Sequence, residues 1–221
     1  VVDLGAAPGG WMQVAAERVG PTGTVIGVDR QNIKDLDDPE ATVEYIRGDI
    51  TEEWTWDEIR ETVGDGERPV DVVISDMAPN MSGEYDLDHA RSVHLARQAF
   101  ELAEELLTSG GDLAVKVFDG RDLADLQEEI EGEFEYVRQV RPDASRESSS
   151  ELYLVAKNRL TAPVRPGDEL DVEIVDTGEE GDGIAQVEGF TLFVAGASEG
   201  EEVRVTVDDV KPNFGFAERT E

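Results

Sequence analysis

Two residues of opposite charge, Asp76 and Lys116, stand in segments whose apolar composition predicts buried strands. Asp76 follows the run Val-Asp-Val-Val-Ile-Ser at positions 70–75, and Lys116 lies within Asp-Leu-Ala-Val-Lys-Val-Phe at positions 112–118. An ammonium group in an apolar strand loses hydration and normally requires a compensating partner. A carboxylate at the carboxyl end of a neighbouring strand supplies one, in the crevice where open α/β sheets bind ligands. The pair indicates either a catalytic amine or a structural ion pair.

A turn of small residues precedes the first predicted helix. The turn Asp3-Leu-Gly-Ala-Ala-Pro-Gly-Gly-Trp11 would let a ligand approach the backbone and the free N–H groups of the helix start. It has neither the Gly-x-Gly-x-x-Gly spacing of dinucleotide sites nor the Gly-Lys-Ser/Thr end of a phosphate loop. Read as a ligand site and not only as a tight turn, it predicts a nucleotide-type ligand. Asp3 favours one that is cationic or rich in hydroxyl groups.

Two further acidic residues follow predicted strands. Asp29 ends the run Val-Ile-Gly-Val-Asp at positions 25–29, where a carboxylate can accept hydrogen bonds from ribose hydroxyls; an ordinary helix N-cap is the alternative. Asp49 ends Ile-Arg-Gly-Asp at positions 46–49 and could contact an adenine amine, although aspartate is common after strands. Both residues are candidates for binding the same nucleotide-type ligand.

Strand and helix patterns alternate over the first 158 residues. The strand patterns cover residues 1–4, 24–28, 43–46, 70–75, 113–118, 136–140 and 151–156, and the helical patterns cover 11–19, 56–63, 90–107 and 123–130. This alternation predicts a Rossmann-like α/β sheet with helices on both faces. The last two strands have no helix between them and should be antiparallel, joined by a polar loop over 143–150.

The character of the sequence changes near Asn158. Residues 159–166 are predicted to form a linker, because Pro and Gly interrupt the pattern there. Short strand patterns with glycine punctuation follow over 169–175, 183–187, 190–194 and 202–207. About five short strands in so short a segment predict a small closed β-barrel. The predicted domains are therefore 1–158 and 167–221, without a helix in the second.

The charge is extreme and is spread along the whole chain. Asp and Glu number 52 against 19 Lys and Arg, which gives a net charge of −33. Such a charge repels nucleic acid and itself in dilute buffer, but in molar salt the Debye length falls to about 3 Å and the repulsion is screened. The composition therefore indicates a halophilic protein, and an acidic protein with a special partner is the alternative.

Several classes of protein are disfavoured by composition. The chain contains no cysteine, which excludes disulfides and thiolate chemistry. No apolar stretch approaches the roughly 20 residues of a membrane span, and no signal peptide is visible. These features predict a cytoplasmic protein. Because the chain starts inside a predicted strand without an initiator methionine, we also expect a segment upstream of Val1.

Four segments together resemble one enzyme family. They are Gly5-Ala-Ala-Pro-Gly-Gly-Trp11, Ser75-Asp-Met-Ala-Pro-Asn-Met-Ser-Gly83, Val115-Lys-Val-Phe118 and Ser145-Arg to Ser150-Glu-Leu-Tyr-Leu-Val-Ala156. This combination is similar to the FtsJ/RrmJ (RlmE) family of S-adenosylmethionine-dependent ribosomal RNA ribose 2′-O-methyltransferases, and it extends over residues 1–158. The barrel-like segment, with Gly181-Asp-Gly-Ile-Ala185 and Phe214-Gly-Phe-Ala217, resembles a TRAM domain, an RNA-binding appendage.

The resemblance carries over a set of functional residues. The family's catalytic Lys-Asp-Lys-Glu set implies roles for Asp76, Lys116 and Glu151, and its first lysine lies upstream of the segments available here. Cofactor contacts are implied for Gly9, Trp11, Asp29, Asp49 and Asp76. The expected reaction is methyl transfer from S-adenosyl-L-methionine to the 2′-hydroxyl of a nucleotide, most simply a uridine, in large-subunit ribosomal RNA, by a monomer.

RNA binding must be reconciled with the acidity of the barrel. Residues 163–221 contain 16 acidic and 4 basic residues. The release of counterions, which usually favours the binding of nucleic acid, contributes less as the salt concentration rises. We therefore expect stacking and hydrogen bonding to dominate. The candidate stacking residues, which could equally be barrel core, are Phe190, Phe193, Phe214 and Phe216. The candidate phosphate contacts, which could equally be solvated charges, are Arg141, Arg146 and Lys211.

Other functions remain open on the sequence. A transfer RNA methyltransferase of the same family is the nearest alternative, and a non-catalytic RNA-binding module is a second. A nicotinamide oxidoreductase on a similar sheet is disfavoured by the glycine-rich turn. His89 and His94 are five residues apart and do not share a helical face well, so we predict no metal site.

Overall fold

The chain forms two compact units, Val1–Lys157 and Asn158–Glu221. The computed structural model describes residues 1–64, 69–142, 150–178 and 181–220. The strands of the first unit are β1 (Val2–Leu4), β2 (Thr24–Asp29), β3 (Thr42–Arg47), β4 (Val70–Ser75), β5 (Leu107–Phe118), β6 (Phe134–Val140) and β7 (Glu151–Arg159). Its helices are α1 (Gly10–Val19), α2 (Glu53–Val63), α3 (Tyr85–Leu106) and α4 (Leu123–Glu131).

Within the described ranges, the strands of the first unit form a seven-stranded sheet in the order β3-β2-β1-β4-β5-β7-β6. The five strands from β3 to β5 are parallel, and β7 is antiparallel to β5. From β1 the chain first adds β2 and β3 on one side of the sheet, and then β4 and β5 on the other side. The carboxyl ends of β1 and β4 therefore flank the switch point where open α/β sheets bind ligands.

Side chains alternate between the two faces of the central strands. In β5, Leu113, Val115 and Val117 are buried, whereas Ala114 and Lys116 are only partly buried. The buried face packs against α3 and α4 in the main apolar core, which includes Leu102, Leu126, Leu152 and Leu154. Because successive strand residues point to opposite faces, Lys116 lies on the face opposite this core.

Helix α1 packs very closely on β2 and thereby fixes the glycine-rich turn. A Cβ atom on Gly27 would lie 2.1 Å from Sδ of Met12, a separation that the buried Met12 side chain would have to move to relieve. Met12 is fully buried, with Ala6, Ala16 and Val25 around it. Gly27 therefore allows the start of α1 to approach the sheet, which sets the path of the turn between β1 and α1.

Helix α3 and strand β5 are longer than the sequence pattern predicts. The helix was predicted from residue 90 but begins at Tyr85, because its first two turns bury the polar residues Asp88, His89 and Ser92 in place of apolar ones. Strand β5 was predicted from residue 113 but begins at Leu107, directly after the helix. The predicted α/β class and the helices on both faces are confirmed.

The second unit is a closed barrel. Its strands are β8 (Glu169–Thr177), β9 (Gly183–Val187), β10 (Phe190–Val194), β11 (Glu202–Val210) and β12 (Phe214–Arg219). They close in the order β10-β12-β11-β8-β9, as the sequence predicts. Segment 159–166, predicted to be a linker, is not a free connection: Arg159 ends β7, and Leu160, Ala162 and Val164 are buried in the apolar core of this unit.

None of the helices in the described ranges combines the length and the apolar character needed to cross a bilayer.

Candidate active site

Asp76 and Lys116 form an ion pair, as their sequence positions predict. Ser75 of β4 pairs with Val115 of β5, so the next residues of the two strands lie side by side. Lys116 Nζ lies 3.0 Å from Asp76 Oδ1 and donates a 2.7 Å hydrogen bond to the Asp76 carbonyl. The Lys116 side chain is 10% exposed and that of Asp76 is 32% exposed. The ammonium group is therefore largely desolvated but borders an open crevice.

Tyr153 is a third member of this group, which sequence reasoning missed. It pairs with Lys116 across β7 and β5, and its hydroxyl donates a 2.5 Å hydrogen bond to Asp76 Oδ1. Burial, the hydrogen bond to Asp76 and the negative charges of Asp76 and Glu151 raise the pKa of the Tyr153 phenol. It therefore stays protonated and serves Asp76 as a donor. Period-2 alternation in the antiparallel strand 151–156, set against Lys116, was the signal that could have revealed it.

Glu151, the third predicted catalytic residue, begins β7. It pairs with Phe118, two residues beyond Lys116 on β5. Because strand residues two apart share a face, Glu151 projects to the same side of the sheet as Tyr153. The structure thus brings Asp76, Lys116 and Glu151 together at one end of three adjacent strands, β4, β5 and β7.

A cavity of about 460 Å³ adjoins the ion pair at the switch point of the sheet. Its lining includes Gly5, Ala7, Asp29, Asp49 and Asp76. The three predicted cofactor-binding aspartates are therefore brought together around one space. Its position, at the carboxyl ends of β1, β2 and β4, is where nucleotide-type ligands bind in sheets of this kind.

Gly9 and Trp11, also predicted cofactor contacts, lie at the start of α1 and are not among the residues that line this cavity. Gly9 occupies the N-cap of the helix with a φ of 119°, a conformation that strongly favours glycine. The exposed ring of Trp11 lies 5.7 Å, centroid to centroid, from the ring of Tyr153. The structure therefore places Trp11 beside the Asp76–Lys116–Tyr153 group.

Asp29 holds the glycine-rich turn in shape. Its carboxylate accepts hydrogen bonds from the Ala7 N–H at 3.0 Å and the Gln31 N–H at 2.7 Å. Gly5, at the beginning of the turn, has a φ of 78°, and a Cβ atom there would lie 2.8 Å from the Met77 nitrogen. Glycine is therefore needed at position 5 both for its φ and for the close approach of the segment that follows Asp76.

Asp49, which also lines the cavity, is held by two donors and a cation. Its carboxylate accepts hydrogen bonds from the N–H and hydroxyl of Thr51, at 3.1 and 2.8 Å, and lies 3.4 Å from Arg30 Nε. Partial burial disfavours its charge, but the Thr51 donors and the Arg30 guanidinium outweigh that effect and lower the pKa of Asp49. Asp49 is therefore an ionised acceptor at neutral pH.

Asp3 is a buried carboxyl group behind the cavity. It is 0% exposed, and neither of its oxygens has a hydrogen-bond partner among the described residues. Burial, followed by the negative charges of Asp76 and Asp29, raises its pKa to about 7. Three carboxyl groups therefore stand close enough to repel one another electrostatically, which favours a cationic ligand in the crevice.

The beginning of α3 ties down the loop that follows Asp76. The Asp88 carboxylate accepts hydrogen bonds from the Ser82 N–H and hydroxyl, both at 2.8 Å, and from the Gly83 N–H at 3.0 Å. The Ser82 N–H leads the set of contacts that lower the pKa of Asp88. The loop between Asp76 and the helix is therefore fixed near its far end by an ionised side chain.

The same helix also holds the loop that follows Lys116. His89 Nδ1 lies 3.1 Å from the Phe118 carbonyl, and the Asp122 N–H donates to His89 Nε2 at 3.2 Å. The imidazole is therefore the tautomer with its proton on Nδ1. Ser92 Oγ accepts a 2.9 Å hydrogen bond from the Phe118 N–H. A Cβ atom on Gly120 would lie 2.5 Å from the His89 ring, so glycine lets the loop wrap around the imidazole.

The predicted RNA-binding cations have acidic partners. Arg141 Nη2 lies 2.6 Å from Asp119 Oδ2, and in the barrel Lys211 Nζ lies 3.1 Å from Asp209 Oδ2. Arg146 lies outside the residues that the structure describes. Neither Arg141 nor Lys211 is therefore a bare cation available to a phosphate without exchange of partners.

The barrel phenylalanines divide into core and surface residues. Phe190 is buried, whereas Phe193, Phe214 and Phe216 form an aromatic cluster on the outer face, with centroid separations of 5.5 to 5.9 Å. Phe214 and Phe216 are exposed. Phe190 is therefore part of the barrel core. Phe193, Phe214 and Phe216 present a surface on which nucleic acid bases can stack.

With this geometry in place, comparison with known proteins identifies the family. Residues 1–159 match the family described as FtsJ-like methyltransferase. The chain belongs to this family. Residues 163–219 match the TRAM domain, and the protein is thus a methyltransferase with a C-terminal TRAM barrel.

Relatives match over nearly the whole length. The chain is 70% identical to the ribosomal RNA large subunit methyltransferase E of Haloarcula marismortui, over 100% of this chain and 85% of that protein. Identity to the enzyme of the same name from Methanosarcina mazei is 48%, over 99% of this chain and 78% of that protein. A ribosomal RNA methyltransferase from Plasmodium falciparum is a solved structure with 26% identity and a TM-score of 0.61, covering 72% of this chain and 85% of that one.

Proposed function

We propose that this methyltransferase transfers a methyl group from S-adenosyl-L-methionine to the ribose 2′-hydroxyl of a nucleotide, a uridine, in large-subunit ribosomal RNA. The observation that carries the proposal is the Asp76–Lys116–Tyr153 group at the carboxyl ends of adjacent strands, beside the aspartate-lined cavity. The RNA substrate follows from the names of the relatives that match nearly the whole chain.

The residues of the cavity fit this donor. S-adenosyl-L-methionine carries a sulfonium and an ammonium group and, when bound, supplies an electrophilic methyl group. Asp76 and Asp29 border the cavity and Asp3 lies behind it without a hydrogen-bond partner among the described residues, so the cavity is suited to positive charge. Asp29 and Asp49 are carboxylates suited to the hydroxyls and the amine of an adenosine.

Lys116 would act on the incoming ribose. Its ammonium group donates to Asp76 Oδ1 and to the Asp76 carbonyl, which leaves one of its three donors for a substrate oxygen. Fixing that oxygen in line with the methyl group can be worth up to about 7–11 kcal/mol. Proton transfer by a positioned base contributes roughly 10²–10⁴-fold. Lys116 therefore orients the 2′-hydroxyl at least as much as it assists the loss of its proton.

RNA binding would depend little on phosphate contacts. The cations predicted for that purpose, Arg141 and Lys211, have aspartate partners, and high salt weakens phosphate contacts further. The exposed cluster of Phe193, Phe214 and Phe216 supplies a neutral stacking surface on the barrel. The net charge of −33 and the haloarchaeal relatives support the proposal that this protein functions in a salt-rich cytoplasm.

Mapping of 2′-O-methyl groups in cells that lack this gene tests the proposal. We expect one mark to disappear from large-subunit ribosomal RNA and to return when the wild-type gene, but not a Lys116→Ala version, is restored. If 2′-O-methyl marks disappear only from transfer RNA, then transfer RNA, and not ribosomal RNA, is the substrate. An unchanged set of marks in both RNAs would favour the non-catalytic RNA-binding alternative.

A further inference from the structure

Tyr85, the first residue of α3, combines an exposed ring with a fixed hydroxyl. The residue is 59% exposed, yet its hydroxyl donates a 2.6 Å hydrogen bond to the Asp119 carbonyl. The side chain of an exposed tyrosine normally moves among rotamers, but that of Tyr85 is held by the helix at its Cα atom and by the hydrogen bond at its hydroxyl. Its ring is therefore presented to solvent in one orientation.

The hydroxyl bond places the ring at the end of the strand that carries Lys116. Asp119 directly follows Phe118, the last residue of β5, and its N–H donates to the Ser150 carbonyl at 2.6 Å. Phe118 pairs with Glu151 of β7. Tyr85 is thus anchored at the end of β5 and the start of β7, the strands that carry Lys116 and Tyr153.

The helix beneath Tyr85 is itself rigidly attached. Asp88 binds the loop after Asp76, and His89 binds the loop after Lys116. A contact surface that is ordered before binding saves the entropy that a free side chain would lose. The ring is therefore organised in advance for a ligand that contacts this end of β5 and β7.

The surroundings of the ring select what can contact it. Glu84 and Asp86 flank Tyr85 in the sequence, so its neighbours along the chain offer no cation to a phosphate group. A nucleobase presents a neutral π face, and its stacking on an aromatic ring needs no phosphate contact. We propose that Tyr85 stacks against an unpaired base of the RNA next to the reacting ribose, an inference that rests on the proposed function.

Three single substitutions in the full chain separate stacking from a structural role. Tyr85→Leu removes the ring, and Tyr85→Phe keeps the ring but removes the bond to Asp119. Tyr136→Leu removes another exposed ring, 53% exposed, on the edge strand β6. The substrate is ribosomal RNA purified from cells that lack this gene, and initial rates in molar KCl give kcat and KM. Donor affinity and the unfolding midpoint are measured for each variant.

We expect Tyr85→Leu to raise KM for RNA roughly 5- to 150-fold, the range that loss of one base–aromatic stack produces. Donor affinity should not change and Tyr136→Leu should stay close to wild type, whereas Tyr85→Phe, which keeps the ring but no longer fixes it, should raise KM much less than Tyr85→Leu does. Equal losses in Tyr85→Leu and Tyr85→Phe would assign the effect to the Asp119 bond and overturn the inference. An unchanged KM in Tyr85→Leu would also overturn it, while wild-type turnover would leave the proposed function standing. Wild-type protein without activity on this RNA would overturn both.

Discussion

Replacing Asp3 by Asn should make the ligand-free protein more stable, and increasingly so as the pH rises. The carboxyl group is fully buried without a described hydrogen-bond partner, and burial together with Asp76 and Asp29 raises its pKa from 3.8 to about 7. Between those two values, the unfolded chain releases the Asp3 proton while the folded protein keeps it. Folding stability is therefore lost as the pH rises through this window.

The size of the effect follows from the shift. A difference of roughly 3 pKa units, at about 1.4 kcal/mol per unit, corresponds to about 4 kcal/mol above pH 7. The window from pH 5 to pH 7 contains two of those units, or about 3 kcal/mol. Asn is nearly isosteric and cannot ionise, so the advantage of Asp3→Asn over wild type should grow by that amount between pH 5 and pH 8.

Urea unfolding in molar KCl, followed by tryptophan fluorescence at pH 5 and pH 8, measures this difference. Glu58→Gln, on the exposed face of α2, is the matched control for the loss of one negative charge, and its effect should be nearly the same at both pH values. A constant difference between Asp3→Asn and wild type across the range would refute the reasoning. It would mean that Asp3 is ionised in the folded protein, with a compensating partner.

Two other substitutions test the supports of the site. Tyr153→Phe removes a hydrogen bond to the Asp76 carboxylate. Bonds of this kind contribute about 1.5–3 kcal/mol to stability, so the free energy of unfolding should fall by about that amount, and kcat should fall because Asp76 loses one of its donors. An unchanged kcat would leave Tyr153 with a structural role only. Gly120→Ala places a Cβ atom 2.5 Å from the His89 ring and should lower the free energy of unfolding by about 1–3 kcal/mol. Thermal denaturation measures this loss. Unaltered stability would show that the loop can move away from the imidazole without cost.

Much of the fold follows from patterns in the sequence. Apolar strands of four to eight residues, separated by helical spacing, predict the parallel part of the sheet, and glycine-punctuated short strands predict the barrel. The beginning of α3 at Tyr85 could not be predicted in this way, because Asp88, His89 and Ser92 are buried through hydrogen bonds to distant loops. Periodicity of apolar residues carries no information about such contacts.

The candidate site shows the same division. The approach of Lys116 to Asp76 could be predicted because a cation in an apolar strand needs a partner, and parallel strands bring their carboxyl ends together. The contribution of Tyr153 depends on the register between β7 and β5, which the sequence alone does not fix. The isolation of Asp3 depends on which groups the folded chain brings around its carboxyl group, which apolar periodicity does not show.

The most direct test of the central claim is methyl transfer by Lys116→Ala and by the wild-type chain, with donor affinity measured on the same preparations. The ammonium group is paired with Asp76, which lines the cavity proposed for the donor, so its removal should abolish formation of 2′-O-methyl nucleotide in ribosomal RNA while the donor still binds. Turnover by Lys116→Ala at the wild-type rate would contradict the account, because the Asp76–Lys116 pair would then be only a structural ion pair.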